Sequence, residues 1–78
     1  MIVYHCTTQK KLDRYASSRL ILPPVYYFTT KYSALKWMKK TGRKILLAFN
    51  EPLRSYPLPM KNGAMWSDEF VRKWEKVN

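Results

Sequence analysis

The chain has 78 residues, a single cysteine and a net charge of +10, from fifteen Lys plus Arg against five Asp plus Glu. A domain this small buries only about 60% of its unfolded surface, which leaves little room for a deep, enclosed active site. The lone Cys6 excludes an internal disulfide, and a content of 46% apolar and 15% aromatic residues is too rich for a disordered chain.

In chain order, residues 2–6 (IVYHC) are β-branched and aromatic and predict a strand. Thr7 and Thr8 supply N-caps for a helix that starts directly after it. In that helix Leu12, Tyr15 and Ala16 share one face, Lys10, Lys11 and Arg14 point elsewhere, and Ser17-Ser18 ends it. Residues 20–22 are apolar, and Pro23-Pro24 then blocks both helix and ladder hydrogen bonding. Residues 25–29 are the strongest strand signal by composition. Thr30 caps a second helix running to about Thr41, with Ala34, Leu35, Trp37 and Met38 as its apolar positions and Gly42 at its C-cap. Residues 43–50 predict a third strand, whose continuous apolar run suits burial on both faces.

Residues 51–59 hold three prolines and predict an irregular or edge segment; Asn62-Gly63 is a turn signal. Ser67 predicts the cap of a C-terminal helix, with Asp68 and Glu69 placed favourably against its dipole. Phe70, Val71, Trp74 and Val77 would form its buried stripe, and Trp66 would staple onto Val71. The expected architecture is a single α/β domain over residues 1–78, with α+β as the alternative. It consists of a small mixed sheet of about three strands, with two to three helices packed on it through right-handed crossovers. The order is strand, helix, strand, helix, strand, arm, helix.

The charge is concentrated. No acidic residue lies between Asp13 and Glu51, whereas Arg14, Arg19, Lys31, Lys36, Lys39, Lys40, Arg43 and Lys44 do. A one-signed block makes a one-signed surface, which attracts polyanions. The sequence therefore predicts a basic binding protein whose partner is nucleic acid or an acidic protein surface, a habit of small basic proteins of mobile elements. Lys31, Tyr32, Lys36, Lys39, Lys40, Arg43 and Lys44 are the expected contact residues. Among the aromatics, Tyr27 and Tyr32 are the candidates for stacking on bases, and Trp37 and Trp74 are assigned to the core.

Other chemistry is poorly provided for. His5 is the only histidine, and strand alternation puts it with Thr7 on one face and Cys6 on the other. That separates His5 from Cys6 as a catalytic pair and leaves Cys6 as a small buried hydrophobe. One His and one Cys cannot supply a zinc site, and two glycines cannot supply a phosphate loop. No cofactor or metal is expected. The longest apolar run, residues 45–49, is far shorter than the roughly 20 residues that cross a bilayer, and the N-terminus has no signal-peptide pattern. The expected location is cytoplasmic.

The opening Val3-Tyr4-His5-Cys6-Thr7 resembles the His-x-Thr start of ADP-ribosyltransferase-like domains of the diphtheria-toxin type, which include DNA-modifying toxins and RNA 2′-phosphotransferases. Residues 19–24 (RLILPP) stand where that family has a segment near G-x-I-x-P. Residues 25–30 (VYYFTT) resemble its aromatic strand ending in Ser or Thr. The likeness spans roughly the first 50 residues. It implies that His5, Thr7, Tyr27 and Thr29 line a pocket for NAD. Glu69, or else Glu51, would stand for the family's late catalytic glutamate. On that alternative the chain is an enzyme that modifies a nucleic acid or protein with NAD.

Overall fold

The computed structural model of the protein describes residues 1–59 and 63–78. Its elements are β1 (Ile2–Thr7), α1 (Gln9–Ser18), β2 (Val25–Phe28), α2 (Lys31–Thr41), β3 (Ile45–Asn50), β4 (Tyr56–Pro57), β5 (Ala64–Ser67) and β6 (Glu75–Lys76). The strands form one sheet in the order β4-β5-β2-β1-β3-β6, and every paired neighbour is antiparallel. This is an α+β fold with two helices and six strands among the described residues. It corrects the expected mixed sheet of about three strands.

The first two thirds follow local chemistry. The Thr8 hydroxyl accepts the Lys11 amide at the start of α1, and the Thr30 hydroxyl accepts the Ser33 amide at the start of α2. Gly42, at φ 75, ends α2 and returns its amide to the Met38 carbonyl at 2.9 Å. The long register runs between β1 and β3, from Ile2 opposite Asn50 to Thr7 opposite Ile45. Because β2 and β3 both run against β1, they are parallel to each other with β1 between them. The α2 connection is thus a crossover that spans an inserted strand, and no parallel ladder forms.

The C-terminal third differs from expectation. Ser67 closes β5 and caps no helix, and no helix follows among the described residues. Its hydroxyl donates to the Arg54 carbonyl at 2.6 Å and accepts the Glu69 amide at 3.1 Å. Asp68 meets the Arg54 guanidinium at 3.6 Å, and the Glu69 carboxylate accepts the Arg54 amide. Val71 and Ile21 exchange two backbone hydrogen bonds, at 2.9 and 3.1 Å. Glu75–Lys76 then pairs with β3 as an edge strand. The helical spacing of Phe70, Val71, Trp74 and Val77 lost to this pairing. Val71 faces the core, Val77 packs beside Leu46 on the opposite side of the sheet, and Phe70 stays exposed. The staple from Trp66 to Val71 is absent too, since Trp66 pairs across the sheet with Tyr26 and Tyr56. The expected edge segment does contain a strand, β4. Asn62 of the expected turn lies outside the described residues.

Two apolar layers sandwich the sheet. Val3, Val25, Tyr27, Leu47 and Phe49 face α1, where Leu12 and Tyr15 close over them. Cys6, Leu46, Tyr4 and Phe28 face α2, which adds Ala34, Trp37 and Met38. The apolar run of β3 is explained by these layers, since it is buried on both sides.

Candidate nucleic-acid interface

Among the described residues, helix α2 rests on β1 and β2 and leaves the β5–β4 end of the same sheet face uncovered. Alternation along the strands sends Tyr26, Trp66 and Tyr56 to that uncovered end. They form one cross-strand row, with Tyr26 opposite Trp66 and Trp66 opposite Tyr56. The Tyr56 and Trp66 rings lie 4.8 Å apart at 35°, and Tyr26 and Tyr56 are 51% and 40% exposed. Between the row and the helix is a cleft of about 340 Å³, lined by Tyr26, Tyr27, Phe28, Trp37, Arg43, Leu58, Pro59 and Ala64. Phe28 and Trp37 build its inner wall, their ring centroids 6.2 Å apart.

Arg43 lines this cleft, and Lys40 stands beside one of its lining rings. The Arg43 Nη1 donates to the Cys6 carbonyl at 3.1 Å, which ties the guanidinium to the end of β1. Lys40 lies with its ammonium 5.9 Å from the Trp37 ring, and Lys36 lies 5.5 Å from the Tyr32 ring. Lys36 and Lys40 are one helical turn apart, so they share a side of α2. Lys31 belongs to another groove, beside Ile2, Tyr4 and Trp74. Lys39 and Lys44 are exposed. The basic block of the sequence is therefore divided between two sides of the helix. Among the described residues no carboxylate lines the aromatic cleft, and Asp68 and Glu69 are engaged with Arg54.

His5 is enclosed on the other face of the sheet. Its Nδ1 lies 2.5 Å from the Tyr26 carbonyl and its Nε2 lies 3.2 Å from the Tyr15 hydroxyl. A carbonyl only accepts, so Nδ1 carries the proton and Nε2 accepts from Tyr15. Burial is the main cause that lowers its pKa from 6.5 to about 4. The charges of Arg43 and Lys11 add to that effect, and the Tyr26 carbonyl opposes it. His5 is thus neutral with both ring nitrogens occupied. It sits where β1 and β2 share only one registered pair, Tyr4 with Phe28, and its ring supplies the Tyr26 carbonyl with a donor.

Tyr27 is 1% exposed and packs edge-on against Phe49, while Tyr26 takes the outward position that the stacking assignment gave to Tyr27. The Tyr27 hydroxyl donates to Ser55 at 2.5 Å, and burial raises its pKa. Thr7 is fully buried with no partner for its hydroxyl among the described residues. The Thr29 amide donates to the Gly63 carbonyl at 2.9 Å. A side chain on Gly63 would come within 3.0 Å of the Thr29 hydroxyl, and Gly63 has φ 73. Of the five NAD-site candidates, His5 and Tyr27 meet through Phe49. Thr29 goes to the Gly63 turn, and Glu69 goes to Arg54.

Cys6 is buried on the α2 side, donates its thiol to the Ala34 carbonyl at 3.2 Å, and has its pKa pushed up to about 11 by burial. Among the described residues no group of three His, Cys, Asp or Glu is placed to hold a metal, and no helix is long and apolar enough to cross a membrane. Sequence reasoning missed Tyr26, Tyr56 and Trp66. Tyr26 was recoverable, since Val25 in the core forces Tyr27 inward and Tyr26 outward. The other two depend on pairings that no local pattern announces. No known protein family, curated protein or solved structure matches the chain.

Proposed function

We propose that the chain binds single-stranded nucleic acid, stacking bases on Tyr26, Trp66 and Tyr56 and meeting phosphates with Lys40 and Lys36. The observation that carries this reading is the aromatic row left open beside a basic helix. Single-strand binders combine a positive track for the backbone with aromatic faces for the bases, and every base has a face to stack. An acidic protein surface would need the cations alone and would leave the row unexplained. The NAD-using alternative needs a reachable His5, whose ring nitrogens are engaged inside the core.

Titration of short single-stranded oligonucleotides against intrinsic tryptophan fluorescence tests the proposal. Contact with about two phosphates gives a slope near −1.4 for log affinity against log salt, at about 0.7 per phosphate on single strands. Binding that is absent at low salt, or that is unchanged by Tyr26→Ala together with Trp66→Ala, would defeat it. Heat of binding from millimolar NAD, lost in His5→Ala, would turn the case toward the enzyme.

A further inference from the structure

The walls of the aromatic cleft and its Arg43 side chain ask different things of a ligand. Tyr26, Phe28, Trp37 and Leu58 present apolar surface. A bare phosphate would lose its water there with little in return, whereas a flat ring would bury its faces well. Among the described residues Arg43 is the only charged side chain in the lining, and it offers donors only. Among the described residues its guanidinium makes one hydrogen bond, through Nη1 to the Cys6 carbonyl. That bond anchors the fork and leaves the edge formed by Nε and Nη2 without a partner. The best ligand therefore has an aromatic face and two adjacent acceptors along one edge.

We infer that the cleft is a base-specific subsite that selects guanine, with Arg43 as the residue that reads it. This rests on the single-strand reading above. Guanine presents O6 and N7 side by side, and a bidentate arginine is the commonest specific contact to them. Adenine presents N7 beside an N6 amino donor, which would oppose a guanidinium donor. Cytosine offers acceptors but only one ring, and it covers less of the facing aromatic wall. Lysine cannot replace arginine here, because its point charge has no fork.

The test uses oligothymidylates with one central substitution, titrated against the unaltered protein. The central guanine binds about 5- to 150-fold more tightly than adenine, cytosine or thymine, the range expected of one good bidentate contact. Replacing that guanine with 7-deazaguanine, which lacks N7, removes most of the gain without touching the protein. Arg43→Lys keeps affinity for the plain oligothymidylate and loses the preference. Equal affinity for all four bases overturns the inference, as does preference for cytosine, or a guanine preference that survives 7-deazaguanine. These results leave single-strand binding standing. Failure of every oligonucleotide to bind overturns both.

Discussion

The two faces of the sheet are made by alternate residues of the same strands, yet one is closed and the other is half open. On the α1 face, Val3, Leu47, Tyr27 and Phe49 form one buried cluster under Leu12 and Tyr15, and His5 is fitted beside its rings. Two polar side chains there are held by partners distant in the chain, His5 by Tyr15 and Tyr26, and Tyr27 by Ser55. On the α2 face the helix covers only the centre. Tyr26, Trp66 and Tyr56 reach past it into solvent with cations beside them. The same aromatic chemistry serves two ends, and coverage decides which. Under α1 an aromatic ring adds cohesion, and beyond α2 it is available to a ligand.

Mutations should separate the two faces. Phe49→Ala, at a position 3% exposed and in contact with both His5 and Tyr27, should cost about 3–5 kcal/mol of folding stability in urea unfolding. A smaller loss would mean that the closed face repacks easily.

His5 gives the closed face a pH signature. Its folded pKa, about 4, lies below its unfolded value of 6.5, so the unfolded chain takes up this proton first. Stability is full above about pH 6.5, falls as pH drops toward 4, and levels off below that. This site contributes on the order of 3 kcal/mol to the fall. Unfolding midpoints for the wild type and His5→Gln should converge across that window. Parallel curves would show that His5 is not buried neutral.

On the open face, Tyr26→Ala and Trp66→Ala should each weaken single-strand binding by about 1–3 kcal/mol in the fluorescence titration. Tyr26→Ala should lower stability much less than Phe49→Ala does. Equal stability losses would erase the distinction between the faces. The smallest effect is expected at Thr7, whose hydroxyl is buried without a partner among the described residues. Thr7→Val should stabilise the protein by roughly 1 kcal/mol, because an unpaired buried hydroxyl costs about that much. A loss on substitution would point to an unseen partner for that oxygen.

What could be read from the sequence was set by local chemistry. Thr8, Thr30 and Gly42 act at the helix ends where their side chains, or the lack of one, say they should. The apolar run of β3 is buried between two layers as its composition requires. Residues 64–78 were misread because Ser67, Asp68 and Glu69 have the same pattern whether they cap a helix or brace a loop. Arg54, thirteen residues earlier, decides for the loop. The basic stretch was legible as a charge, but its split around α2 was not, since that depends on which helix side meets the sheet. The stacking row was hidden for a similar reason. Its three aromatics lie on three strands and become neighbours only through antiparallel register.

The strand order has a consequence in time. The centre of the sheet, β2-β1-β3, is drawn from the first fifty residues, and the later strands add at its two edges. Bringing β3 onto β1 already closes a long loop, from Asn50 back to Ile2, and such closures slow folding. The closed core is therefore laid down largely by chain that emerges early. The aromatic row needs Trp66 to pair onto β2 and Tyr56 to pair onto β5. The row of Tyr26, Trp66 and Tyr56 therefore depends on that centre, because β5 pairs with β2 and β4 reaches the sheet only through β5.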